Sequence, residues 1–100
     1  MSSPPSQDQP LVGQITLRYW ASARALAGVA EETVAVNGPV TLTWLVAGAV
    51  DRHGAGNRLA EVLSSCSVLL GDQPVGTEDP DAVTVRAGQS VEFLPPFAGG

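Results

Sequence analysis

A single long amphipathic helix, set among short alternating segments, leaves this chain few architectures to adopt. Leu42, Leu45, Val46, Ala49 and Val50 fall at i, i+3, i+4, i+7 and i+8, which places them on one continuous apolar face. Thr41 is the expected N-cap, Arg52 and His53 suit the negative end of the helix dipole, and Gly54 is expected to end the helix in the left-handed conformation. A helix with one apolar face needs a second layer to cover it. That layer is found in the flanking alternation. Gln14 to Trp20 turns Ile15, Leu17 and Tyr19 to one side, and Glu32 to Val36 turns Val34 and Val36 inward.

The remaining segments are short. Ser22 to Ala27, closed by Gly28, suits a brief helix, and a second brief helix after Asn57 groups Leu59, Val62 and Leu63. Asn37-Gly38-Pro39 and Gly71-Asp72-Gln73-Pro74 read as turns, Val68 to Leu70 and Val83 to Arg86 as short strands, and Ser90 to Leu94 as the last strand. The order fits neither a βαβ repeat nor an all-β fold. A mixed sheet with its helices packed on one face, an α+β class, satisfies it. At 100 residues one domain is expected, spanning 13–94, with 1–12 as a disordered Ser-, Pro- and Gln-rich extension and 95–100 as a tail.

Composition narrows the chemistry. The single Cys66 precludes an intramolecular disulfide framework, and one His with one Cys cannot make the usual zinc set, so no metal site is expected. Ten acidic residues stand against five basic ones, all Arg and never in a run, which argues against nucleic acid. No apolar stretch reaches the roughly 18–20 residues of a membrane span, and the N-terminus lacks the pattern of a secretory signal. A cytoplasmic protein without a membrane partner is expected. Cys66 has no neighbouring base in sequence and is read as structural filler, His53 as a helix-end residue, Trp44 as packing on the sheet, and Glu78 to Asp81 as a solvated loop.

The last strand runs into Leu94-Pro95-Pro96-Phe97-Ala98-Gly99-Gly100. Pro95 and Pro96 stop the ladder and impose an extended departure, Phe97 offers an apolar anchor, and Ala98, Gly99 and Gly100 present ever less side chain. At about 3.1–3.6 Å per residue such a tail projects roughly 20 Å. A thin peptide ending in a carboxylate suits entry into another enzyme's narrow channel, where bulk at Gly99 or Gly100 would block passage. The carboxylate itself is inert until activated, for instance by adenylation.

With that ending, the chain resembles the ubiquitin-like β-grasp sulfur carriers, most closely the MoaD-type small subunits of molybdopterin synthase. Pro95, Pro96, Gly99 and Gly100 match the family's Pro-Pro-x-x-Gly-Gly ending. Arg18 to Arg24 is similar to its aromatic first strand and Ala-rich helix, and Leu59 to Leu63 to its second helix. The resemblance implies a ubiquitin-like β-grasp fold and a division of labour. An adenylating, sulfurating enzyme uses ATP to turn Gly100 into an acyl-adenylate and then a thiocarboxylate, and the carrier binds no cofactor of its own. The tail, with Gly99 beside the reactive residue and Pro95, Pro96, Phe97 and Ala98 as partner contacts, enters the molybdopterin synthase large subunit. There sulfur passes to a cyclic pterin precursor during molybdenum cofactor biosynthesis, in an assembly of two small subunits on a dimer of large ones. The small subunit is then a non-autonomous part of a transferase whose pocket lies on the large subunit. The same chemistry serves carriers for thiamine, cysteine or tRNA thiolation, and a ubiquitin-like protein modifier would activate Gly100 in a related way. Because a short tail loses roughly 1–2 kcal/mol per residue in backbone entropy on ordering, a second, apolar contact from the exposed sheet face or Phe97 is expected.

Overall fold

A computed structural model describes residues 13–96. The expected extension at 1–12 and the tail residues Phe97, Ala98, Gly99 and Gly100 lie outside the described residues. The first strand, β1 (Gly13–Tyr19), leads into the short helix α1 (Ala21–Ala27) and returns as β2 (Glu31–Val36). A two-residue strand, β3 (Val40–Thr41), precedes the main helix α2 (Leu42–His53), followed by α3 (Leu59–Ser65). The chain closes with β4 (Ser67–Leu70), β5 (Gln73–Pro74), β6 (Thr84–Val85) and β7 (Ser90–Leu94).

The main sheet has the order β2-β1-β7-β4-β5, and β3 pairs with β6 in a separate ribbon. The last strand therefore lies at the centre, parallel to β1 with Leu17 opposite Val91 and Tyr19 opposite Phe93, and antiparallel to β4. Because side chains alternate along a strand, this register gathers Ile15, Leu17, Tyr19, Val91 and Phe93 on one face, where all are buried. Leu42, Leu45 and Ala49 of α2, Leu59 and Leu63 of α3, and Ala23 and Ala27 of α1 cover them. The Tyr19 and Phe93 rings stack with centroids 5.7 Å apart. The expected α+β architecture, a mixed sheet with helices on one face, is the observed one.

Thr41 caps α2 as expected, its hydroxyl accepting the Trp44 N–H at 3.0 Å. Gly28 ends α1 in the left-handed conformation, φ 82°. Gly54 does not do so at the end of α2: its φ is −97°. Glycine is needed there for space, since a Cβ would stand 2.8 Å from the Val50 carbonyl oxygen. Trp44 does not pack on the sheet. It stands between Leu42 and Leu45, off the buried line, is 51% exposed, and borders a shallow surface concavity with Pro39 and Val40. Two further expectations shift. Gln73 and Pro74 belong to β5 and not to a turn, and the expected strand from Val83 to Arg86 shrinks to Thr84–Val85, paired with β3 outside the main sheet.

Candidate functional site

The end of β7 is the place where the expected tail leaves the body, and the surrounding residues hold it firmly. Phe93 is fully buried against Tyr19, and its carbonyl accepts the Trp20 N–H at 3.2 Å, so the strand end is tied to the turn between β1 and α1. Leu94 lies opposite Ser67 of β4. Pro95 and Pro96 follow outside any strand, half-buried and exposed respectively, since proline supplies no N–H to extend the ladder. The structure thus places two of the six expected site residues, Pro95 and Pro96, at the root of the tail.

The face of the sheet opposite the helices carries no covering layer among the described residues. Leu94, Leu69 and Pro74 share it by register, as Ser67 opposes Leu94 and Leu69 opposes both Glu92 and Pro74. Trp20 adds an indole that is 47% exposed and donates its ring N–H to Glu92 Oε1 at 2.9 Å. An apolar area therefore adjoins the tail root, with Glu92 oriented by Trp20 within it.

A polar cluster on the other side of the sheet was not legible from pattern alone. Glu32 lies two residues before the inward-facing Val34 and so points to the helix side, where its carboxylate is half-buried. It accepts hydrogen bonds from the Tyr19 hydroxyl and from Arg52 Nη2 at 3.0 Å, and His53 Nε2 lies 2.9 Å from Oε1. Burial alone would raise the Glu32 pKa, but the hydrogen bonds from Arg52, Tyr19 and His53 outweigh it and hold the group down to about 2. Burial first, and then the bond to Glu32, pushes Tyr19 well above its ordinary value. Its position in phase with Val34 was the available signal. The cluster joins the end of α2 to β2 and to the aromatic stack beneath the tail root. It holds a carboxylate ionised and saturated with donors, which suits a brace and not proton transfer.

Cys66 is half-buried at the end of α3, and burial pushes its thiol up to about 11, so it stays protonated at neutral pH, consistent with filler. His53 is the helix-end residue expected, with the added role of a Glu32 partner. Among the described residues no group of His, Cys, Asp or Glu could hold a metal ion, and no helix is long and apolar enough to cross a membrane.

Five mixed strands with the last at the centre, helices on one face, and a proline-led departure from that central strand define a ubiquitin-like β-grasp domain. Solved structures agree on the fold. The small archaeal modifier protein 1 of Haloferax volcanii superposes with a TM-score of 0.67 at 19% identity, covering 84% of this chain and 98% of that one. A complex of subunits 1 and 2 of the molybdopterin-converting factor from Helicobacter pylori contains a chain matched with a TM-score of 0.59 at 22% identity, covering 87% of this chain and 99% of that one. No family model matches the chain. In sequence it is 31% identical over 87 residues to a molybdopterin synthase sulfur carrier subunit of Chlamydomonas reinhardtii, spanning 87% of this chain and 99% of the relative. The chain belongs to the family of molybdopterin synthase sulfur carrier subunits.

Proposed function

We propose that this chain carries sulfur on its Gly100 carboxyl group as the small subunit of a molybdopterin synthase. The observation that carries the proposal is the sequence match to the Chlamydomonas carrier across almost the whole of that relative. The Gly100 carboxylate attacks the α-phosphorus of ATP on an adenylating enzyme, forming the acyl-adenylate and releasing pyrophosphate. Sulfide then attacks the acyl carbon and displaces AMP, leaving the thiocarboxylate. Transfer of that sulfur to the pterin precursor returns the carboxylate, with an oxygen taken from water. The body contributes no acid, base or metal to these steps. Its central strand ends at Leu94, and Pro95 and Pro96, outside any strand, begin the segment that carries Gly100.

The large synthase subunit is the second partner, by analogy with the solved Helicobacter pylori complex of the two subunits. Leu69, Leu94 and Trp20 form the apolar contact that supports the tail there. Leu94→Glu is expected to weaken that complex by about tenfold or more, since a charge on an apolar interface must be desolvated. Unchanged affinity would remove the sheet face from the interface.

Intact-mass measurement tests the central claim. Incubation with ATP, the adenylating enzyme and a sulfur source is expected to replace one C-terminal oxygen by sulfur, and deletion of Gly100 is expected to abolish the gain. Absence of the gain in the full chain would overturn the carrier function. A second function, as a ubiquitin-like modifier, is favoured by the likeness to the archaeal modifier protein. Consumption of the thiocarboxylate by the pterin precursor and the large subunit supports the first function; isopeptide-linked conjugates on lysines of other proteins support the second.

A further inference from the structure

The turn from β1 into α1, which grips the end of β7, also forms a small cleft. Arg18, Tyr19, Trp20 and Arg24 line it with Ala30 and Glu31, enclosing about 180 Å³. Arg18 is engaged by Glu31 at 3.3 Å, and the other carboxylate near the tail root, Glu92, is engaged by the Trp20 ring N–H. Arg24, like Arg86 at the other end of the sheet, is exposed and takes part in none of the ion pairs formed among the described residues, but of the two only Arg24 lines the cleft. The free acids lie elsewhere. Asp51 lies on α2, Asp72 sits in the β4–β5 turn, at the sheet edge away from β2, and Glu78, Asp79 and Asp81 belong to the loop that follows β5.

Any enzyme that takes up the residues beyond Pro96 brings the rim of its channel against the surroundings of the tail root. We propose that the adenylating enzyme anchors the carrier in this cleft, placing an Asp or Glu side chain of its channel rim against the Arg24 guanidinium and beside the Trp20 ring. The proposal rests on the carrier function proposed above. A guanidinium with no carboxylate partner among the described residues is available for a two-pronged carboxylate contact, and Trp20 lines the same cleft. Charged pairs at an interface rim act chiefly on association rate and salt dependence. Activation is the first encounter in the cycle, so orientation of the free carrier matters most there, and the basic cleft beside the tail supplies it.

Two substitutions that lower the net charge equally separate a local contact from a general charge effect. Arg24→Glu alters the cleft. Arg86→Glu lies in the β6–β7 connection, two residues before Gly88, which donates its N–H to the Gln14 carbonyl at the opposite end of β1 from Trp20. Binding of each full-length variant to the adenylating enzyme is measured by calorimetry at two salt concentrations, with circular dichroism to verify folding. Arg24→Glu is expected to weaken binding about tenfold and to flatten its salt dependence, and Arg86→Glu to stay within about twofold of the parent. Equal effects of the two variants, or a loss confined to the large subunit, would overturn the proposal. The mass gain at Gly100 is read separately. Parent chain that binds but gains no sulfur sinks the carrier function, whereas sulfur gain with indifferent Arg24 binding sinks only the cleft.

Discussion

At the scale of single residues, Glu32 makes the sharpest prediction. Its folded pKa of about 2 lies below the ordinary carboxylate value of 4.5, so the native state favours the ionised form. The resulting stability is fully present above the unfolded value and is lost as pH falls from 4.5 toward 2. Tyr19 is shifted the other way, so its contribution holds below its ordinary value of 10.0 and declines as pH rises past it. Thermal melts across pH are expected to show both limbs, and Glu32→Gln to flatten the acid one. An acid limb of equal slope in that variant would remove Glu32 from the account.

The two helix-ending glycines act differently and can be told apart. Gly28 sits at φ 82° with open space where a Cβ would be, whereas Gly54 has an ordinary φ and a crowded Cβ position. Asparagine tolerates the left-handed region, so Gly28→Asn is expected to cost less than about 1 kcal/mol, and Gly54→Asn, forced against the Val50 carbonyl, about 1–3 kcal/mol. Urea denaturation measures both, and the reverse ranking would contradict the assignment. Left-handed geometry was a sound expectation from a glycine after a helix. What a sequence pattern does not reveal is how close the preceding turn's carbonyl comes.

Among the elements, α2 was the most legible and the short strands the least. Five apolar residues at helical spacing identify a helix face because only one period fits them. β3, β5 and β6 hold two residues each, too few to display any period, and they exist because a partner strand lies beside them. The same limit explains Trp44. Hydrophobicity suggested burial, but helical phase puts residue 44 roughly 100° from Leu45, and phase prevails. Leu45→Ala is expected to destabilise the domain by about 2–5 kcal/mol through loss of buried area and the cavity left behind. Trp44→Ser should remain within about 0.5 kcal/mol of the parent. Chemical denaturation of the two variants side by side checks the pair, and a large loss from Trp44→Ser would mean that the exposed indole supports the fold.

For the whole molecule, the division between body and tail matters most. Among the described residues, the buried core runs from Ile15 to Phe93, and the central strand ends one residue later. The tail motif stands out in the sequence because proline and glycine act through the backbone, without any fold to interpret them, and from Phe97 onward it lies outside the described residues. The Glu32 brace and the Arg24 cleft were not legible, since each unites residues separated in sequence. Because the described core is complete by Phe93, a chain ending at Pro96 is expected to unfold within about 0.5 kcal/mol of the full chain. It also retains Trp20, Arg24, Leu69 and Leu94, the residues proposed to meet the partners. The shortened chain should therefore compete with full-length carrier for the adenylating enzyme, slowing thiocarboxylate formation while accepting no sulfur itself. Competition that requires only a modest excess would show that the body carries a substantial share of the affinity. If the shortened chain folds normally yet fails to inhibit at large excess, recognition resides in the tail alone and the body serves only to hold it.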